Sequence, residues 1–326
     1  MRISSFFLLF LIYGCNLFHL DAKAEISISR DTSYTTYSAY WKIKKQYPDI
    51  KIVKPLVDNR LKSCEDIVYK TFIGDSRSLL LDIYRPDNGQ IYPAVIMVHG
   101  GGWSSGDKSM ERPMAQRIAM EGYVTVPVEY RLTPEAPYPA AVHDIKSAIR
   151  WVKANAAAYG IDTTKIAIEG ESAGGQLAML VAMTNQNSLF EEVDAGGQSS
   201  SIVHAAIDVD GIVDFLSPRV LNLKRKPNAA DVSWLGGTFD EKPQLWKEAS
   251  PIFWVNERSV PVAFIVSSVA RFHAGRDEMV DMLNHYGIYS ERHQVPDSPH
   301  SFWMYEPWFE PTRQYILGFL RQVFGK

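Results

Sequence analysis

The sequence predicts a single α/β domain built on a mostly parallel, twisted sheet with helices on both faces. Three observations carry this. From Leu79 onward, short apolar runs alternate with stretches of helical spacing, as a parallel sheet with crossover helices requires. The chain has 326 residues and is 46% hydrophobic, enough for one large core. No internal repeat, low-complexity tract or long linker breaks it into separate units.

Taken in order, the first segment reads as an export signal. Arg2 precedes the apolar run Phe6–Tyr13, too short to span a bilayer, and Ala22-Lys23-Ala24 has small-x-small cleavage spacing. Residues 1–24 are therefore expected to be removed and 25–326 to form the exported, periplasmic domain. No transmembrane span is expected after removal. Ile12-Tyr13-Gly14-Cys15 offers a weaker lipoprotein alternative, because Tyr13 is bulky where a small residue is usual. Cleavage after Ala24 leaves Cys64 as the one cysteine, so no intrachain disulfide can form. Residues 25–70 are polar and rich in Tyr and Lys, suited to wrapping the core or shaping a cleft. Strands are expected at Leu79–Tyr84, Ala94–Val98, Tyr123–Glu129, Lys165–Glu169, Ala205–Val209, Val262–Ser267 and Ser290–Val295. Helices are expected at Met110–Glu121, Ala140–Ala158, Gly174–Thr184 and Arg276–Tyr286. The stretch from about 215 to 256 is long for a connection between strands and reads as a cap-like insertion or cleft wall.

Composition excludes some classes of function. A formal net charge of −3 leaves no basic footprint for nucleic acid. No His/Cys spacing suggests a metal, and no cofactor is expected.

Two motifs carry chemistry. Gly170-Glu171-Ser172-Ala173-Gly174 follows the apolar Ile166-Ala167-Ile168, the mark of a sharp strand-to-helix turn that exposes one serine hydroxyl. Upstream, His99-Gly100-Gly101-Gly102-Trp103 follows Ala94–Val98, as in the oxyanion-hole loops of esterases and lipases. Ser172 is thus the expected nucleophile, with the N–H groups of Gly101, Gly102 and Ala173 receiving the oxyanion. A serine hydroxyl needs a base within reach. His285 and His293 fall inside a predicted helix and strand, whereas His300 follows the loop Val295–Pro299 and is expected to be that base. The acid is harder to assign. The strand Val262–Val266 is followed by Ser267-Ser268-Val269-Ala270-Arg271, with arginine where a carboxylate is usual. Asp210, ending the preceding strand, is the first choice and Asp277 the second. Arg271 reads either as half of an ion pair with Asp277 or Glu278, or as the grip on a substrate carboxylate, which a guanidinium holds bidentately.

His99–Trp103, Tyr130–Glu135, Tyr138–Ala141 with Asp144, Trp151 and Gly170–Gly175 together resemble the hormone-sensitive-lipase and bacterial carbohydrate-esterase groups of α/β-hydrolases. The resemblance covers roughly residues 75–185 and implies a structural role for Asp144. The C-terminal part (Ser267–Asp277, then Pro299–Trp303 and Pro307–Phe309) looks like a branch of α/β-hydrolase esterases that includes pectin methylesterases. It implies an extracytoplasmic serine esterase acting on polysaccharide or oligosaccharide. Methyl-esterified pectin is the preferred substrate, and acetyl or feruloyl esters are the alternative. Trp103 and Arg271 are the expected substrate contacts, and one or two of Phe302, Trp303, Tyr305, Trp308 and Phe309 are expected to line the cleft. A hydrolase fold kept as a non-catalytic binding module is the reading of another class.

Overall fold

The computed structural model describes residues 30–72, 77–192 and 199–325; the expected signal segment lies outside them. Eight strands form the main sheet: β1 Leu61–Thr71, β2 Ser78–Pro86, β3 Tyr92–Val98, β4 Val124–Val128, β5 Ile161–Glu171, β6 Ala205–Val209, β7 Val262–Val266 and β8 Ser290–Gln294. Their spatial order is β1-β2-β4-β3-β5-β6-β7-β8. β1 pairs antiparallel with β2, and β2 antiparallel with β4. Every later pairing is parallel.

The central strands are buried on both faces, which is why they read as continuous apolar runs. Along β3, Ala94, Ile96 and Val98 face one core and Val95 and Met97 the other. The first core is covered by α3 (Ala140–Ala154), α4 (Ala173–Met183) and α5 (Arg276–His285). The second is covered by α1 (Thr36–Ile43), α2 (Arg112–Met120) and α6 (Phe309–Phe324). Among the described residues no helix is long and apolar enough to cross a membrane.

The seven predicted strands and four predicted helices are present with boundaries shifted by a few residues. Three long elements were not predicted. β1 is an edge strand, polar on its open side and with two register shifts, so its alternation is weak. α1 and α6 were not predicted either. In α6, Phe309, Thr312, Ile316, Phe319 and Leu320 follow helical spacing and are buried. Residues 215–256 form three short α-helices, Pro218–Leu221, Ala230–Leu235 and Pro243–Glu248, followed by the 3₁₀ turn Pro251–Trp254. Phe215, Trp234 and Trp246 are fully buried in the first core. Burying one Phe-sized side chain contributes about 1.5–3 kcal/mol, so the insertion is packed onto the domain as part of it.

Candidate active site

β5 ends at Glu171 and α4 begins at Ala173, leaving Ser172 alone at the turn with φ 56° and ψ −118°. Such a left-handed backbone is strained for a serine and persists because the surroundings fix it. The flanking glycines permit the close approach. A Cβ on Gly170 would lie 2.2 Å from the Gly174 carbonyl oxygen, and one on Gly174 would lie 1.9 Å from that of Val98.

Ser172 Oγ lies 2.8 Å from His300 Nε2, and His300 Nδ1 lies 2.7 Å from Asp210 Oδ2. The second oxygen of Asp210 accepts the Ser267 backbone N–H at 2.8 Å. The carboxylate beside the imidazole thus comes from the end of β6 and is fully buried. Asp277 is elsewhere, on α5, accepting hydrogen bonds from Arg276 (3.0 Å) and Arg292 (2.8 Å). Those two cations hold it below the usual carboxylate range. Asp208 faces away, its Oδ1 accepting the Gly211 N–H. His285 is the last residue of α5, and His293 meets Glu291 and Tyr315, both apart from the site.

The triad opens into a cleft of about 270 Å³ lined by Tyr34, Gly101, Gly102, Ala173, Arg271 and Phe272 among others. Gly101 and Gly102 have φ of +125° and +61°, conformations that suit glycine and that place this loop beside Ser172. Phe272 stacks flat on His300, with ring centroids 3.8 Å apart and planes 7° from parallel, while Trp303 meets the imidazole edge-on at 5.2 Å.

Trp103 is 5% exposed. Its Nε1–H donates to Gln176 and its ring stacks on Trp234 at 4.7 Å, so it offers the cleft a wall and leaves little face for a sugar. The expectation for the late aromatics needs correction. Phe302, Trp303, Tyr305, Trp308 and Phe309 are all buried, and none lines this cleft. They belong to the second core, because the loop after His300 folds inward to start α6. Among the described residues, Tyr34, Trp103 and Phe272 are the Phe, Tyr and Trp side chains at the cleft.

Arg271 stands at the mouth of the cleft with no ion-pair partner among the described residues, since Asp277 is engaged by Arg276 and Arg292. Surrounding protein lowers its pKa by desolvation. Asp231 opposes that and Arg225 adds to it. Tyr34, which the sequence did not single out, reaches Ser301 with its hydroxyl at 3.0 Å. The same arm donates the Tyr34 N–H to Ser105 Oγ and an Arg30 N–H to the Gly106 carbonyl, tying the glycine loop to the histidine loop.

A second feature missed in the sequence lies behind the elbow. Glu111, Glu169 and Glu171 are buried, with carboxylate oxygens within 4.8 Å of one another. Burial raises all three, Glu111 to about 7, and so favours their protonated forms. The three residues are far apart or separated by one position in sequence, and only the fold brings them together. Asp144 accepts N–H groups of Arg131 and the Lys70 ammonium, a structural role.

Sheet order, elbow and hydrogen-bonded serine, histidine and aspartate define an α/β-hydrolase. More closely, the chain belongs to the BD-FAE family, whose model matches residues 81–285. It is 34% identical over 212 residues to the esterase LipQ of Mycobacterium tuberculosis, covering 63% of this chain and 47% of that protein. To the esterase LipC of the same organism it is 30% identical, over 61% of this chain and 50% of that protein. The chain spans about half the length of the curated relatives it matches. Among solved structures, a propionate-bound esterase of the planctomycete Thermogutta terrifontis superposes with a TM-score of 0.65 at 26% identity, over 79% of this chain and 94% of that one. A truncated carbohydrate esterase from gut microbiota gives 0.70 at 23% identity, over 82% and 99%.

Proposed function

We propose that the protein is an exported serine esterase that removes ester groups from plant cell-wall polysaccharide, with methyl-esterified uronate of pectin as its preferred substrate. The observation that carries the reading is the unbroken hydrogen-bond chain from Ser172 through His300 to Asp210, opening on a cleft lined by glycine backbone. His300 Nε2 takes the serine proton as Oγ attacks the ester carbonyl. The N–H groups of Gly101, Gly102 and Ala173 receive the oxyanion, and the imidazolium then protonates the departing alcohol. Water deacylates Ser172 by the same route. Asp210, fixed by the Ser267 N–H, keeps the Nδ1 proton in place throughout.

The relatives named esterases and the neighbour named a carbohydrate esterase support the reaction class. Arg271, at the cleft and without an ion-pair partner among the described residues, supports an acidic sugar beside the scissile ester. Methyl ester hydrolysis places the uronate on the acyl side and releases methanol. An O-acetyl ester would reverse this, with acetate on the serine and sugar leaving. The test follows from that difference. Purified enzyme should be labelled by a fluorophosphonate at Ser172 and release methanol from partly methylated pectin faster than acetate from acetylated xylan. Faster acetate release would favour the acetylesterase alternative. Absence of labelling would leave a binding module. Export rests on the N-terminal sequence, and cell fractionation of the full chain tests it.

A further inference from the structure

The insertion between β6 and β7 carries charges that the ester chemistry does not use. Between Leu216 and Asp231 stand Arg219, Lys224, Arg225 and Lys226 against the single carboxylate of Asp231. Such a cluster stands out in a chain whose formal net charge is −3. The stretch borders the active-site cleft. It leads into Ala230, which lines the cleft, and Arg219 donates an N–H to the carbonyl of Ala270, the residue before Arg271, at 3.3 Å. Asp231 and Arg225 are the charges that act most strongly on the Arg271 guanidinium. Arg219, Arg225 and Arg271 are therefore neighbours beside the cleft.

Two of these cations are held in a manner unlike a solvated surface run. Arg225 is braced, its Nε–H donating to Asp231 at 2.7 Å and its guanidinium lying over the Trp246 ring at 5.0 Å. Its Nη1 reaches the Leu221 and Leu223 carbonyls at 3.4 Å and its Nη2 is buried, so it contributes fixed charge. Arg271 lies over the ring of its neighbour Phe272 at 5.3 Å and has no carboxylate partner among the described residues. Arg271 thus presents a guanidinium with N–H groups left over as donors for an anion, and the fixed charge of Arg225 stands behind it. Lys224 and Lys226 flank Arg225 and are exposed. They add compact charges that need no fixed geometry.

We infer that this insertion is a polyanion-binding lip, on which Arg271 grips a carboxylate of an acidic polysaccharide, Arg225 adds fixed charge behind it, and Lys224 and Lys226 hold the chain's continuation outside the cleft. This rests on the esterase reading for its purpose and not for its test, because binding is measured without turnover. A chain with a carboxylate on successive sugars matches a row of cations, and a neutral glycan does not. The lip thus selects the polymer, and the cleft selects the ester.

The experiment is affinity electrophoresis of the full chain through gels containing polygalacturonate, with neutral xylan gels as the control. Wild-type protein should be retarded by polygalacturonate, with retardation fading as salt rises to about 0.5 M, where screening acts within a few ångströms. The Lys224→Glu/Lys226→Glu double variant lies on the exposed surface and should fold. It should bind polygalacturonate at least about fivefold more weakly. Equal affinity of wild type and double variant for polygalacturonate overturns the lip, as does an equal loss on xylan. Hydrolysis of p-nitrophenyl acetate, followed separately, reports on the esterase reading. A protein that binds polygalacturonate through these residues without hydrolysing esters would sink that reading and leave the lip standing.

Discussion

Replacing Asp210 with asparagine tests the proposed triad most sharply, because the structure fixes how the new amide would sit. Asp210 occupies φ 58°, a left-handed conformation that asparagine tolerates better than most residues, so backbone strain should not confound the result. Its Oδ1 accepts the Ser267 N–H and its Oδ2 faces His300 Nδ1. In Asp210→Asn the amide oxygen stays on Ser267. The flipped orientation would set NH₂ against N–H in a buried site and leave a donor unsatisfied, at a cost of about 1–3 kcal/mol. The amide nitrogen then points at Nδ1 and turns that atom into an acceptor. The ring proton moves to Nε2, which can no longer take the serine proton. The expected loss is about 10⁴-fold in kcat, with little change in KM. The assay is p-nitrophenyl acetate hydrolysis with circular dichroism to confirm the fold. Asp277→Asn, which loses only half-exposed contacts to Arg276 and Arg292, should stay within about threefold of wild type. An Asp210→Asn enzyme keeping more than a tenth of wild-type activity would refute the assignment, as would an Asp277→Asn enzyme that is the more damaged of the two.

The other expectations are these. Ser172→Ala and His300→Ala should each lower kcat by about 10⁴-fold or more without lowering Tm, and a His300→Ala enzyme above a tenth of wild type would point to another base. Arg271→Ala should raise KM for acidic oligosaccharide about tenfold and change p-nitrophenyl ester kinetics far less, whereas equal losses would make Arg271 structural. Phe272→Leu removes the aromatic face over His300 and should cost about two- to thirtyfold in kcat through the lost stabilisation of the imidazolium, with Phe272→Tyr restoring it. Loss of activity in both would indicate a packing role. For pH, Glu111 is raised from 4.5 to about 7 by burial, so the folded state holds a proton that the unfolded chain releases. Its contribution is fully present below about 4.5 and is lost as pH rises to about 7. Glu111→Gln should therefore raise Tm relative to wild type at pH 8 and leave it equal at pH 4, and a Tm gap that widens toward acid would contradict the sign.

The sheet was legible because its strands are short apolar runs between helical spacings, and the elbow because its glycines answer steric demands that few other residues can meet. The site's polar geometry was legible only in part. Arg271 in the usual acid position pointed the search for a carboxylate elsewhere, but only the pairing of β6 with β7 brings Asp210 beneath His300 and under the Ser267 N–H. Tyr34 could not be found this way. It sits in a polar arm with no motif, and its place in the cleft depends on contacts with residues 71 and 267 positions away. The Glu111 group hid for the same reason, since acids in a strand and a helical turn look like ordinary solvated ones.

Supplying the carboxylate from β6 has an evolutionary corollary. Where the acid follows β7, every change in that loop risks the proton relay, and the loop is frozen by its own chemistry. Here the relay asks the loop only for a backbone N–H, which any residue but proline provides. The side chains from Ser268 to Ala274 are released from that constraint, apart from Phe272 against the imidazole. Position 271 can exchange one polar head for another while bond breaking continues untouched. A lineage built this way can change its glycan by drift in a single short loop, and a protein engineer can randomise the same residues with the catalytic core left in place.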